Sequence, residues 1–581
     1  MRFTNRWIAL SLLTVLGGCF FQYDYAPTGG GGMGGGSVDA SSASGAGSLG
    51  GNGGTGGGST GTSPSEFVPG ETTATPVCKH VFCDSRPSGC LEKDCFGVKW
   101  ARRAGNLDHE QRAASIAIFE GAQSVVAIAG TYVDSSFELS GSSNSVKLPD
   151  ASPSDPTDAF KEGFVGLYAL ETGAPSWATN LGNPTNENKV RPVPIAGDSR
   201  EARSVAFDST GNVIVGGYED PPGGTRRLIL QKYVPTAAES LVWSKATLGS
   251  VTSRTEIIAI SVAADSIFVL GRALKSAEVT GCKDNLGNPV HLQSGPFVAK
   301  LDGGGNCSWL KTMESTDGVD YDLAVPTAIH ADLSAVWITG TFTGMLDVTP
   351  IASFTATAAS QAFAVELSLN DGSIQTAFRF EGPEKSATPL GITRNANGHI
   401  FLVGEAEGSS TLALGLEGKG AFVTDIERKG PSTFLVSPYT FPVTGVGVPG
   451  AKATSIAINQ GLAFVTGLFA GTLTVGPPGA GASEVTSTDI GGNATPVPFL
   501  AVFKPNASSP PDLLSFDAFP STATAYNSSF VVLAQSANYV ALGGAWSQDL
   551  NFTTQNPQSS VSLPPSSSSK VDAFAALFKL P

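Results

Sequence analysis

VDAFAALFKLP, Val571–Pro581, follows the polar run PPSSSSK and is the segment on which the fold turns. Chain ends fray unless something ties them down. An apolar strand in this position needs a partner, and looking for that partner exposes the organisation of the whole sequence.

Certain glycines end a recurring two-strand phrase. ARSVAFDSTGNVIVGG (202–217) alternates aliphatic and small or polar residues, turns at D-x-x-G-N, and alternates again up to a glycine. Equivalent segments end at Gly130, Gly271, Gly340, Gly404, Gly467 and Gly543, about 69 residues apart on average. Period-two apolar runs split by a polar turn are hairpins. A second phrase, an aromatic-centred strand followed by a turn and a strand that often carries Trp, lies between them, as in GPFVAKLDGGGNCSWLKTM (295–313). Near the start only its second half is present, FGVKWARRAG (96–105), with Trp100 in the tryptophan position. VDAFAALFKLP is the missing first half. The two termini therefore complement each other, which predicts that the last strand pairs with the strand around Val98 to Arg102 and removes two free sheet edges.

These phrases predict an all-β fold, a closed seven-bladed β-propeller over 96–581 whose first blade is completed by the C-terminal strand. An open solenoid and an array of β-sandwiches are the alternatives; neither gives the ends a reason to match. Composition agrees with many short strands and tight turns. The 581 residues include 70 Gly, 37 Pro and 32 Phe, with only 15% charged. The net charge of -15 argues against a nucleic-acid partner.

The N-terminus reads differently. Arg2 and Arg6 precede an apolar run from Ile8 to Leu16, too short to span a bilayer. It ends in LGGC, Leu16–Cys19, which resembles the lipobox of bacterial lipoproteins. That resemblance implies a signal peptide at 1–18, lipidation of Cys19 and export to an envelope membrane; Phe20 after the cysteine fits an outer membrane. Residues 19–70 continue through glycine-rich sequence such as TGGGGMGGGS (28–37) and read as a flexible tether. Simple secretion and an uncleaved anchor are the alternatives.

Residues 71–95 form a small cysteine-rich segment, CKHVFCDSRPSGCLEKDC over 78–95. Its Cys78, Cys83, Cys90 and Cys95, with Cys282 and Cys307, make six disulfide candidates in an exported chain. Connectivity within the cluster stays open, as does a zinc site that includes His80. Cys282 and Cys307 would close a loop of about 26 residues, a constraint of about 3 kcal/mol in the chain-entropy account.

The best copies of the repeat, GPFVAKLDGGGNCSWLK (295–311) and SVAFDSTGNVIVGG (204–217), resemble the β-propeller repeats of large exported bacterial surface proteins and lipoproteins. The copy at 498–516 matches poorly and lacks the tryptophan. The resemblance implies an architecture and is nearly silent about activity.

Candidate sites are few. Trp100, Trp177, Trp243 and Trp309 recur at one place in the phrase and read, with Phe574, as packing aromatics rather than sugar-stacking surfaces. Only five histidines are present. His330 reads as a satisfied core residue and His399 as a surface turn residue, while His109 in NLDHEQR lacks the spacing of a zincin. DSTGN (208–212) lacks the repeated carboxylates of a calcium loop and reads as a turn. Asp317, Asp320 and Asp322, with Glu219 and Asp220, are calcium candidates; no other cofactor is expected, and no catalytic residue stands out. The sequence supports a binding or scaffolding module at the cell surface, with a protein or glycan ligand on a rim face. A metal-assisted hydrolytic or sugar-oxidising enzyme and a purely structural envelope component are the alternatives.

Overall fold

The computed structural model describes residues 97–105, 110–133, 137–141, 144–148, 161–182, 199–221, 225–235, 240–244, 254–274, 277–283, 289–316, 324–356, 360–380, 387–406, 420–429, 434–444, 450–475, 483–487, 496–505, 512–519, 531–546, 550–552, 561–563 and 571–580. Cys19, Cys78, Cys83, Cys90, Cys95, Asp317, Asp320 and Asp322 lie outside these residues, as do the signal and tether segments.

Among the described residues every regular element is a strand. Each hairpin of the sequence joins the two strands of the phrase that follows it, and four of them stand as separate four-stranded antiparallel sheets of one design. Sheet I orders Gln111–Phe119, Val125–Val133, Lys161–Ala169 and Pro175–Asn180. Sheet II orders Ser199–Phe207, Val213–Asp220, Arg227–Val234 and Ser240–Ser244. Sheet III orders Thr255–Ala263, Ser266–Ala273, Gly295–Leu301 and Cys307–Thr312, and sheet IV orders Ala324–Ala331, Val336–Phe342, Gln361–Leu367 and Ile374–Phe380.

The recurring glycine has a steric cause. In six hairpins the first strand carries a register shift, at 113/115, 202/204, 257/259, 326/328, 389/391 and 453/455, each opposite the hairpin-ending glycine. A bulge of this kind kinks its strand toward the partner. A Cβ on Gly130, Gly217, Gly340, Gly404 or Gly467 would overlap the carbonyl oxygen of Arg112, Glu201, Val325, Thr388 or Lys452 respectively. At Gly271 it would meet the Phe297 ring. Glycine is what lets the bulge close.

The tail is paired at both edges. Asp572–Lys579 lies between Tyr539–Trp546 and Gly97–Ala104, with Ala576 opposite Leu542 on one side and Ala101 on the other. Its flanks are bonded too, Gln111 N donating to Val571 O at 2.7 Å and Leu580 N to Asn538 O at 2.8 Å. An interior strand covered on both faces has no polar face to show, and this one is a nearly continuous apolar run. Phe574 and Phe578 join the core with Trp546 and Phe552; Leu577 packs on the opposite side with Trp100. These strands belong to sheet VI, which orders Val531–Gln535, Tyr539–Trp546, Asp572–Lys579, Gly97–Ala104, Glu138–Ser140 and Ser145–Lys147.

The closed seven-bladed propeller expected from the sequence is corrected here. Among the described residues the strands are distributed over nine sheets of two to nine strands, and none of these closes on itself. The main departure is sheet V, a single nine-stranded sheet. Its path is Ala387–Arg394, Ile400–Ala406, Gly420–Arg428, Phe434–Thr444, Leu462–Val475, Val497–Lys504 and Asp512–Ala518, with Gly450–Asn459 and Ser483–Ser487 also paired to Leu462–Val475. The cause is strand length. Phe434–Thr444 and Leu462–Val475 are extended enough for Val443 to pair with Leu473 and Thr444 with Thr472, so two repeats share one ladder instead of each keeping its own edge. Three small sheets complete the set, formed by Ala277–Lys283 with Pro289–Leu292, by Glu314–Thr316, Met345–Val348 and Ala352–Thr355, and by Leu550–Phe552 with Val561–Leu563.

Sheets I to V pack in chain order through the first strands of their hairpins, and Val531–Gln535 of sheet VI touches both Gln111–Phe119 and Gly450–Asn459. These are side-chain contacts between separate sheets, filled by apolar clusters such as that of Ile258, Phe268, Trp309, Ile338 and Phe363. Cys282 and Cys307 are disulfide-bonded, which ties the Ala277–Lys283 strand to the outer strand of sheet III.

Candidate functional site

The residues singled out from the sequence are mostly engaged in holding sheets together. Trp100 Nε1 donates to Leu170 O at 2.9 Å, Trp243 Nε1 to Gly303 O at 3.1 Å and Trp309 Nε1 to Leu369 O at 3.1 Å, each reaching a turn of a neighbouring sheet. Trp177 meets Tyr233 of sheet II in a tilted pair with ring centroids 5.6 Å apart. Phe574 packs against Trp546 and Phe552.

The Asp208 turn is satisfied from within. Asp208 Oδ1 accepts from Thr210 N at 3.0 Å and Asn212 N at 2.9 Å, and Lys232 Nζ sits 2.7 Å from Oδ2. Burial alone would raise this carboxyl, but Lys232 and the turn donors hold it below its ordinary value. His399 is not the surface residue expected. Its Nδ1 lies 2.9 Å from Asp425 Oδ1, and Asp425 is buried, which pushes that carboxyl up against the opposing pull of His399. His330 is buried without the partners expected of a satisfied core histidine, neither ring nitrogen having a hydrogen bond.

Glu219 and Asp220 were calcium candidates; the structure gives both to arginines. Glu219 Oε2 is 3.4 Å from Arg200 Nε and its Oε1 contacts Arg227 Nε, while Arg226 Nη2 is 2.9 Å from Asp220 Oδ2. A carboxylate already neutralised by guanidinium groups is a poor ligand for a second cation. Among the described residues, no group of three or more His, Cys, Asp or Glu is placed to hold a metal ion.

Those pairs belong to a larger network along one edge of sheets I, II and III, at the ends remote from the hairpin turns. The edge arises because alternating charged residues enter the first strand of sheet II, SREAR at 199–203, opposite the end of its partner strand. Arg200 Nη1 meets Glu162 Oε1 of sheet I at 3.0 Å. At its centre Glu256 of sheet III is shared by three guanidinium groups, Arg226 at 3.0 Å, Arg272 at 3.1 Å and Arg203 at 3.5 Å. Burial opposes the Glu256 charge, but Arg203, Arg272 and Arg226 outweigh it and hold the carboxyl below its usual range.

Arg203 sits at the bulge of its strand, where bulges re-aim side chains. Its guanidinium carbon lies 4.7 Å from the Tyr218 ring centroid and that of Arg226 only 3.9 Å, so one phenol is flanked by two cations. Burial pushes the Tyr218 phenol up, leaving it neutral at physiological pH. Arg203 Nε and Nη1 make no hydrogen bond, meeting Glu201 and Glu256 only as ion pairs at 3.5 Å. Side-chain exposure falls from 41% at Arg227 to 16% at Arg226 and 5% at Glu256, so the network runs from solvent into the protein. The array pairs its guanidinium groups with carboxylates and contains no histidine to carry a proton.

None of Arg200, Arg203, Tyr218, Arg226, Glu256 or Arg272 was singled out from the sequence. The available signal was SREAR and TRR (225–227), charge-dense stretches in a chain that is only 15% charged.

No family model matches the chain, and no curated protein matches it. Solved structures resemble it weakly. The polysaccharide lyase Uly1 is 9% identical with a TM-score of 0.39, covering 80% of this chain and 90% of that one. The quinohemoprotein alcohol dehydrogenase from Comamonas testosteroni is 10% identical with a TM-score of 0.38, covering 84% and 77%. The WD40 domain of SCAP from fission yeast is 10% identical with a TM-score of 0.35, covering 82% and 98%. At these values the likeness reaches propeller and other sheet-rich folds in general and carries no argument about activity.

Proposed function

We propose that this chain is a binding module whose contact face is the arginine-rich edge of sheets I to III, and that its ligand carries carboxylate or other oxyanion groups. One observation supports this above all. In a chain of net charge -15, this edge gathers Lys161, Arg200, Arg203, Arg226, Arg227 and Arg272 around Glu162, Glu201, Glu219, Asp220 and Glu256. Burying charges costs more than burying an apolar side chain of the same volume, so such a network is poorly explained by stability alone. Lys161 and Arg227 are its most exposed cations, followed by Arg272 and Arg226.

The test is retention of the full chain on immobilised acidic and neutral polysaccharides across a salt series. Retention on acidic polymers that falls with salt, and falls at least tenfold in Arg226→Gln/Arg227→Gln, is expected. Equal retention on neutral polymers, no retention at all, or a double variant that binds like the parent would overturn the reading.

A second reading, an enzyme, draws on the His399–Asp425 pair, since a histidine oriented by a buried carboxylate is a common general base. Release of new chain ends from the same polymers, abolished in His399→Asn, would move the assignment there.

The module is further proposed to be held at a bacterial envelope through Cys19, on the strength of LGGC and the preceding apolar run. Cell fractionation tests this. Cys19→Ser should shift the protein from the membrane to the soluble fraction, and unchanged membrane attachment would refute lipid anchoring.

A further inference from the structure

We infer that His330 is an acid-sensing contact in the joint between sheets IV and V, so that protonating it loosens one sheet from the other. His330 stands on Ala324–Ala331 directly opposite Trp337. Both are buried, and His330 Nδ1, His330 Nε2 and Trp337 Nε1 have no hydrogen-bond partner. A neutral imidazole is the form that tolerates this setting, because an unpaired buried cation costs far more than an unpaired buried N–H.

The joint itself is built from two ion pairs and an apolar layer. Arg394 of sheet V reaches Asp332 Oδ2 of sheet IV at 2.6 Å and also contacts Ser334 Oγ. Arg428 of sheet V reaches Glu366 Oε2 of sheet IV at 3.1 Å. Trp337, Phe380, Ile400, Leu402 and Phe422 fill the space between them. A proton on His330 therefore creates a second cation beside Arg394, in competition for Asp332.

Other charged groups lie on the sheets that meet here, among them the His399–Asp425 pair of sheet V at 2.9 Å. On the side of sheet III, Lys300 Nζ is bonded to Leu369 O at 2.9 Å and Asp265 Oδ1 accepts from Ser209 N at 3.2 Å. Burial lowers the His330 pKa to about 4, with Asp332 opposing and Arg394 reinforcing the shift. The folded value is thus below the unfolded one. The stabilisation is fully present above about pH 6.5 and is lost as pH falls toward 4. Asp332, at about 2, stays charged across this window. Glu366 is shifted up by burial and contributes with the opposite sign, so variants and not the raw profile decide the matter.

The experiment is hydrogen exchange by mass spectrometry on the full chain at pH 7, 5.5 and 4.5, corrected for intrinsic rates. Protection over 324–342 and 387–406 should fall steeply below pH 6.5, approaching tenfold per pH unit, while 199–220 changes little. His330→Leu should abolish the selective fall. Arg394→Gln removes the neighbouring cation, raises the imidazole's affinity for a proton and should make the fall smaller. Protection that holds steady in the parent, or a fall of the same size in His330→Leu, overturns the inference. If His330→Leu does not fold, a full-sized fall in Arg394→Gln overturns it.

Discussion

A single missing methyl group sets the repeat. At Gly130 the facing bulge brings the Arg112 carbonyl oxygen into the place a Cβ would occupy, and the Ala113 Cα lies only 2.9 Å from it. Backbone cannot step aside as a flexible side chain can. Gly130→Ala should therefore lower stability by about 1–3 kcal/mol or more, the range for overpacking a closely fitted site. Gly303→Ala is the control, because its nearest neighbours would be Lys232 Nζ at 3.8 Å and Asp265 O at 4.0 Å. Denaturant midpoints of the two variants check this; a Gly130→Ala protein as stable as Gly303→Ala would refute the steric account. The glycines were legible in the sequence as punctuation, but not their cause, since a bulge is a relation between two strands. His399 was misread for a similar reason. Its partner Asp425 is 26 positions away on another strand, and a lone histidine beside a turn carries no mark of it.

Among elements, the hairpins are fixed by local pattern. Hairpins announce themselves through alternation and turn residues within some 16 positions, and sheets I to IV follow those phrases strand by strand. The Cys282–Cys307 bond also matches its expectation, joining a strand between the two phrases to the outer strand of sheet III. Departures begin where tertiary context decides how far a strand runs. Nothing in PYTFPVT (438–444) signals that its end will pair with Leu462–Val475 and fuse two repeats into sheet V. The arginine-rich edge escaped notice on the same grounds. Arg200 and Glu162 are 38 positions apart and come together because the first strand of sheet II, Ser199–Phe207, packs across the third strand of sheet I, Lys161–Ala169.

For the whole molecule, the decisive feature is that the first and last described strands share a sheet. A tail paired on one edge would leave Gly97–Ala104 with an open ladder; a tail paired on both makes the final strand an interior one. Phe574, Leu577 and Phe578 are essentially buried, and a buried side chain of this size contributes about 1.5–3 kcal/mol. The sequence made this pairing legible because a split phrase at both ends has a single economical completion. Overall closure was overread from the same clue, since paired termini fix one sheet and do not make nine sheets into seven equal blades. Register gives the sharpest test. Ala101 and Ala576 are opposite one another and belong to the same apolar cluster, whereas Ala575 belongs to the cluster on the other face. Mild oxidation of the Ala101→Cys/Ala576→Cys protein, followed by peptide mapping, should find the 101–576 disulfide in nearly every molecule and find almost none in Ala101→Cys/Ala575→Cys. No bond in the first protein, or equal bonding in both, would contradict the pairing of the two ends.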